Sequence, residues 1–310
     1  MGCDQGARDL SVQSFVSAGS VEEALAALAR GARTVAGGTD LVVGARQGKA
    51  PLPESLVAID RLDELRGIDE GGDTVRLGAL ATHAEIAASA TVRERLTALA
   101  DASAIVGSHA TRAQGTLGGN LMNASPAMET GGPLICFGAT ATLRSAESSR
   151  EVAVEKLFSG PGQTVAAPGE LLTEVMVPMP APDTGSCYLR LEYRRQMEIA
   201  VVGVTAVVTL EAGKISDARV AITALAPTIR RAPEAETALV GSDGDTGAVA
   251  SAASAAAAAA APISDVRASE QYRRAMAEVI ARRAIEAALA RARGEVVPIP
   301  ASSNLHGGRA

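Results

Sequence analysis

The chain has 310 residues, long enough for one large domain or two moderate ones, and its 47% hydrophobic content suits a packed globular protein. A net charge of -6, no basic run and only 2% aromatic residues leave little to stack bases or attract phosphate backbone, so a nucleic-acid partner is set aside. Cys3, Cys136 and Cys187 form no CxxC pair, which argues against an iron–sulfur cluster or structural zinc held by this chain alone. The same odd cysteine count, an N-terminus without a signal-peptide pattern and the lack of a long apolar run lead to the expectation of a soluble, cytoplasmic protein with no integral membrane segment.

In chain order, Ser20-Val21-Glu22-Glu23 has the form of a capping box and opens a helix to Arg30, with Gly31 as its terminator. A short strand, Thr34-Val35-Ala36, runs into Gly37-Gly38-Thr39-Asp40, and Leu41 to Arg46 fits one or two helical turns. Ser55 to Ile59 and Thr74 to Leu80 read as strands separated by a polar turn over Asp69 to Asp73. Thr82-His83-Ala84-Glu85 is a second capping box, and a longer helix is expected from about Val92 to Val106. Gly107 to Gly132 reads as a long irregular loop with too much apolar content for disorder, which marks it as functional.

Strands resume at Ala141 to Arg144 and Leu172 to Pro178, and Pro178-Met179-Pro180-Ala181-Pro182 marks a domain boundary. Beyond it, Tyr188 to Arg194, Val201 to Glu211 and Ile215 to Leu225 are strands, the last two joined by a hairpin at Ala212-Gly213-Lys214. An Ala-rich helix ending before Pro262 and a long one from Ser269 to Arg293 close the chain. Strands followed by helices make the fold class α+β rather than a doubly wound parallel sheet. The expected division is 1–180, with subdomains of about 1–60 and 61–180, then 183–294, and a tail at 295–310.

The chemistry centres on two segments, Ala36-Gly37-Gly38-Thr39-Asp40 and Thr116-Leu117-Gly118-Gly119-Asn120. Adjacent glycines allow positive φ and close approach, so successive N–H groups can face an anion, and the first turn leads into a helix N-terminus. Thr39 and Thr116 add hydroxyls and Asn120 an amide. Two such turns about eighty residues apart suit a diphosphate gripped from both sides. Neither has the G-x-G-x-x-G or Walker spacing, so a Rossmann or P-loop reading has no support. His83 and His109 read as structural or exposed, and no carboxylate pair or Ser–His–Asp arrangement is discernible.

The segments Arg33 to Leu41, Leu77 to Glu85, Gly115 to Leu121, Ala124 to Glu129 and Arg194 to Ala200, followed by Asp265 to Arg274, resemble in order the FAD-binding medium subunit of the xanthine dehydrogenase and aerobic carbon monoxide dehydrogenase (molybdenum hydroxylase) family. The resemblance spans about Phe15 to Arg293. It implies the vanillyl-alcohol-oxidase or p-cresol-methylhydroxylase (PCMH) fold, in which two α+β subdomains clasp FAD and a C-terminal α+β domain closes over it. It also implies cofactor contacts from Arg33, Val35, Ala36, Gly37, Gly38, Thr39, Asp40, Leu41, Val106, Thr116, Gly118, Gly119, Asn120, Ala124, Glu129, Leu172, Arg190 and Ile199, with no catalytic or metal-binding residue. Arg33 to Asp40 would wrap the pyrophosphate, with Asp40 ordering the loop or capping the helix rather than facing the anion. Glu129, at the family's usual Asp position, would accept hydrogen bonds from cofactor hydroxyls. Leu172 would pack near the adenine or flavin. Arg190, where the family often has Lys, would lie near the flavin's polar edge or else be a strand-face surface charge. Ile199 would pack on the ring face or else belong to the core.

FAD would be bound non-covalently, while molybdopterin and [2Fe–2S] clusters would reside only on partners. Those partners would be an iron–sulfur small subunit and a molybdopterin large subunit, in a dimer of heterotrimers. Electrons would pass through this chain to NAD⁺, a quinone or dioxygen, the flavin supplying the redox chemistry. Two other readings stay open: a free-standing flavin oxidase of the same fold, distinguished by turnover of the isolated chain, and a cofactor-free structural subunit, distinguished by the absence of flavin absorbance.

Overall fold

The computed structural model describes residues 12–48, 50–194 and 196–302. Cys3, Arg195 of the Arg194 to Ala200 segment and residues 303–310 of the expected tail lie outside the described residues.

The first part of the chain holds β1 (Ser14–Ser17), α1 (Val21–Ala29), β2 (Arg33–Val35), α2 (Leu41–Arg46) and β3 (Ser55–Ala58). Its strands are parallel, in the order β1-β3-β2. The Ser20 hydroxyl accepts the Glu23 N–H to start α1. The Glu23 carboxylate takes the N–H of Gly19 rather than that of Ser20, so the expected capping box is only half formed. Gly31, at φ +89°, ends the helix as expected. Ala24, Leu25 and Leu28 bury against Val57, Ile59 and Leu80, making a small core of their own.

A second sheet follows, built from β4 (Ile68–Gly71) and β5 (Thr74–Gly78), then six helices: α3 (His83–Ala88), α4 (Ala90–Arg95), α5 (Thr97–Ile105), α6 (His109–Gln114), α7 (Leu117–Asn123) and α8 (Gly131–Cys136). β6 (Thr140–Arg144), β7 (Ser149–Ala153), the short pair β8 (Phe158–Gly160) and β9 (Gln163–Thr164), and β10 (Leu171–Pro178) complete it. The five-stranded antiparallel sheet has the order β4-β5-β10-β6-β7, so β10 joins the two hairpins that flank the helices. Thr82 and Glu85 form the full capping box expected for α3.

Three expectations are corrected in this part. Three of the five residues of the polar 69–73 turn belong to strand β4, because its side chains lie at an exposed sheet edge and carry no hydrophobic signal. The single helix over 92–106 is broken at Leu96, whose backbone (φ -122°, ψ 47°) leaves the helical region while its side chain stays buried. The irregular loop over 107–132 contains α6, α7 and the start of α8. Ser108 and Thr116 cap the first two through their hydroxyls, and helices of six or seven residues are too short to show a 3.6-residue period.

The last part comprises β11 (Thr184–Leu191), β12 (Val202–Glu211), β13 (Lys214–Thr223), β14 (Arg230–Arg231), α9 (Pro233–Leu239), α10 (Thr246–Ala258) and α11 (Glu270–Ala292). The strands form one antiparallel sheet in sequence order. Glu211 pairs with Lys214, and Ala212 and Gly213 both have positive φ, which is the two-residue hairpin that matches strand twist. The alanine run packs Ala252, Ala253 and Ala256 with α11 in one core. β11 divides its side chains by face. Cys187 and Leu189 enter that core, while Ser186, Tyr188 and Arg190 face the second sheet and its helices. Asp101 of α5, fully buried, receives the Arg291 guanidinium of α11 at 2.6 Å and the Tyr188 N–H at 3.2 Å, which pins the two parts together. Among the described residues no helix is long and apolar enough to cross a membrane.

Candidate functional site

The fold brings the two glycine turns into contact. A Cβ on Gly37 would lie 1.9 Å from the carbonyl oxygen of Gln114, so the first turn rests directly on the residue before Gly115. A Cβ on Gly115 would meet the His83 ring at 3.4 Å and the Thr39 hydroxyl at 3.6 Å. Gly38 has φ +68°, which turns the chain between β2 and α2. Among the described residues, no protein acceptor takes the N–H groups of Gly37, Gly38 or Thr39. A run of unsatisfied N–H groups through a left-handed residue is a nest for an anion. Asp40 does not cap α2 as expected. Its own backbone is already helical (φ -92°, ψ -42°), whereas a capping carboxylate needs an extended backbone beneath it.

The second turn differs from its expectation. Leu117 N–H donates to the Ala81 carbonyl at 2.9 Å, Gly118 to Ala79 at 2.8 Å, Gly119 to the Thr116 hydroxyl at 3.1 Å and Asn120 to the Thr116 carbonyl at 2.9 Å. All four N–H groups are satisfied by protein, so this turn offers an anion side chains only. The Thr116 hydroxyl accepts from Gly119 and keeps its own proton to donate. The Thr130 hydroxyl donates to Asn120 Oδ1 at 2.6 Å, which leaves the amide N–H groups of Asn120 as free donors. The adjacent glycines serve different ends. A Cβ on Gly118 would meet the Ala79 oxygen at 2.8 Å and its Cβ at 2.9 Å, whereas one on Gly119 would meet only the Thr116 hydroxyl, at 3.0 Å, and otherwise open space.

Glu129 and Arg190 are brought together. Arg190, 4% exposed, donates to Glu129 at 2.5 Å and to Glu192 at 2.6 Å, and also bonds the Glu198 carbonyl at 3.2 Å. The surface-charge alternative for Arg190 is therefore excluded. Burial pushes Glu129 up to about 7, against the pull of the Arg190 guanidinium. Burial works against the Arg190 charge, but Glu129, Tyr188 and Glu192 outweigh it and hold its pKa above the ordinary value.

Ile199 is 44% exposed, so the core alternative fails. Its loop is fastened across the start of α6, with Met197 N–H on the Gly107 carbonyl at 2.9 Å and the Thr111 hydroxyl on the Met197 sulfur at 3.6 Å. Leu172 is a core residue of β10, 3% exposed. Ala124 ends α7 in the left-handed region (φ 48°), and Val106 ends α5 with its carbonyl taken by Arg112. Arg33 is exposed, while Val35, Ala36 and Leu41 are half-buried around the first turn.

Two neighbours of the turns escaped the sequence reading as site residues. His83 is 2% exposed, and its Nδ1 has no partner. Burial, helped by the nearby Arg112 charge, lowers its pKa to about 4, so it is neutral. Arg112 is 8% exposed. Its place in the last turn of α6, three residues before Gly115, was the available signal.

A free N–H nest, a hydroxyl and an oriented amide across from it, open space over Gly119 and an exposed aliphatic side chain on an adjoining loop fit a flavin dinucleotide. These features lie beside an α+β C-terminal domain that packs on the same helices. Residues 10–180 match the model for the FAD binding domain in molybdopterin dehydrogenase, and residues 187–288 match the CO dehydrogenase flavoprotein C-terminal domain. The chain belongs to this family of flavoprotein subunits. It is 34% identical over 277 residues to the carbon monoxide dehydrogenase medium chain of Afipia carboxidovorans, covering 88% of this chain and 96% of that one. It is also 34% identical over 285 residues to the 6-hydroxypseudooxynicotine dehydrogenase complex subunit alpha of Paenarthrobacter nicotinovorans, covering 90% and 95%. Among solved structures, a chain of the reconstituted CO dehydrogenase from Oligotropha carboxidovorans superposes with a TM-score of 0.87 at 32% identity, covering 91% of this chain and 99% of that one.

Proposed function

We propose that this chain binds FAD non-covalently between its two glycine turns and relays electrons within a molybdenum hydroxylase complex. The observation that carries the reading is the run of free N–H groups at Gly37, Gly38 and Thr39, set against the Thr116 hydroxyl and the Asn120 amide. The flavin supplies the electron-accepting chemistry, as an exchange between one- and two-electron partners. The chain's own residues bind the diphosphate, keep water from one ring face through Ile199, and hold charge nearby through Glu129 and Arg190. Electrons would arrive from [2Fe–2S] clusters on an iron–sulfur small subunit, drawn from a substrate oxidised on a molybdopterin large subunit. They would leave to NAD⁺, a quinone or dioxygen. The names of the similar proteins, medium chains and subunits of complexes, support a heterotrimer, and we take it as doubled. The buried free thiols of Cys136 and Cys187 fit a reducing cytoplasm. We divide the chain near Pro180, between β10 and β11, where the strand pattern passes from one sheet to the next.

The test is anaerobic mixing of the FAD-loaded chain with aldehydes, purines and carbon monoxide, following the flavin absorbance. The isolated chain stays oxidised with every substrate yet is bleached by a chemical reductant. Adding the iron–sulfur and molybdenum subunits lets a substrate bleach it. Reduction by a substrate without partners would instead establish a free-standing oxidase, and failure to bind FAD would leave a structural subunit.

A further inference from the structure

Arg112 is a shielded cation without an anion. It is 8% exposed, and among the described residues its guanidinium bonds only the Val106 carbonyl, at 2.9 Å, and Nδ1 of His109, at 3.2 Å. No carboxylate among the described residues pairs with it. Its charged neighbour Arg190 already holds both Glu129 and Glu192. A guanidinium has five N–H donors, so most of those on Arg112 are uncommitted. Taking such a charge out of water without a counter-ion is costly, and a protein retains it only where something repays it. Burial and the Arg190 charge both act against the protonated form.

Its position says what would repay it. Arg112 stands on α6, one helical turn before Gly115, where Gly37 abuts Gln114 and where Thr39 and His83 flank the Gly115 backbone. His83, whose ring flanks that junction, has its pKa lowered mainly by burial and in part by the Arg112 charge. The second turn has no backbone N–H left for an anion. A diphosphate seated on the first turn thus lacks a positive group on its other side unless a side chain supplies one. We propose that Arg112 is the counter-charge for the cofactor's diphosphate, donating to its phosphate oxygens from the side of the second turn. The proposal rests on the FAD reading above and extends it to a residue outside both glycine segments.

The experiment titrates the full-length apo-chain with FAD, ADP and riboflavin, by calorimetry and by flavin fluorescence, for wild type, Arg112→Met and Arg112→Lys. ADP carries the diphosphate without the flavin, and riboflavin carries the ring without the diphosphate. Charge-assisted bonds to phosphate predict that Arg112→Met weakens FAD and ADP about 10- to 100-fold and leaves riboflavin unchanged, with Arg112→Lys in between. The salt dependence of FAD binding should flatten in Arg112→Met. Because it removes an uncompensated charge, the apo-protein should melt no lower than wild type. Unchanged FAD and ADP affinity overturns the proposal, as does an equal loss for riboflavin or a lower apo melting temperature with affinity intact. If Arg112→Met does not fold, Arg112→Lys decides: a loss confined to FAD and ADP supports the counter-charge, and no loss removes it. A wild-type chain that binds none of the three would overturn the FAD reading itself, an outcome distinct from those.

Discussion

The unlike roles of Gly118 and Gly119 give a sharp test of the cradle. A methyl on Gly118 would sit 2.8 Å from the Ala79 oxygen and 2.9 Å from its Cβ, both on a rigid backbone segment that also accepts the Gly118 N–H. Such overpacking costs about 1–3 kcal/mol, and it falls on folding. At roughly 2–4 °C per kcal/mol for a chain of this size, Gly118→Ala should lower the apo melting temperature by about 2–12 °C. A methyl on Gly119 meets only the Thr116 hydroxyl at 3.0 Å, which can shift by a few tenths of an ångström. Since Gly119 lies within α7, Ala there gains up to about 1 kcal/mol of helix propensity and should leave the apo melting temperature equal or slightly raised. Gly119→Val fills the open space with two further methyls and should release FAD while the chain stays folded. The assay pairs thermal unfolding of apo-protein with FAD titration for each variant. The reasoning is refuted if Gly119→Val keeps full FAD affinity, or if Gly118→Ala melts with wild type.

Two further outcomes follow from buried charge. His83 is neutral in the fold at about 4 and ordinary, near 6.5, when unfolded, so the unfolded chain takes up a proton first as pH falls. Its contribution is complete above about pH 6.5 and is lost as pH drops towards 4, by roughly 3 kcal/mol. Denaturant unfolding across that range should show wild type losing this much relative to His83→Leu, and parallel curves would remove the assignment. Asp101→Asn should cost roughly 3–5 kcal/mol by leaving the Arg291 guanidinium, 7% exposed, without its carboxylate. A loss of under 1 kcal/mol in chemical denaturation would show that the pair does not hold α5 to α11.

Much of the fold was legible because its signals are local. Ser20, Thr82 and Ser269 all act as helix caps, and the hairpin at Ala212-Gly213 turns as its residues require. What escaped was short or long-range. β4 and β7 carry exposed, charged faces and are strands only because β5 and β6 pair with them. The order β4-β5-β10-β6-β7 depends on β10 returning past six helices, a pairing that no local pattern encodes. Both glycine turns were legible as a site, but not their inequality. Whether an N–H is free depends on Ala79 and Ala81, nearly forty residues upstream of the second turn. The pairing of Glu129 with Arg190, 61 residues apart, is likewise set by the fold and carries no local signal.

That pairing bears on how the C-terminal sheet is set against the cradle. Apolar contact alone would let the two parts slide. The seam carries Val207, Ala221 and Ile229 from the C-terminal part packed in the same core as Leu134 and Phe137, and such surfaces tolerate repacking. Two buried ion pairs cross the same seam, Glu129 with Arg190 and Asp101 with Arg291. Buried pairs add little net stability, yet removing one partner is expensive, so each penalises any displacement that parts its charges. Arg190 also grips the Glu198 carbonyl, one residue before Ile199, so the first pair fixes the exposed loop together with the strand. Tyr188, Thr205 and Thr223 have hydroxyls that take no partner among the described residues, and the missing side chains of Gly132 and Gly203 leave them room. The C-terminal sheet is thus set against the rest of the chain by charge pairing, which has a narrow geometric optimum, and not by apolar area, which has none.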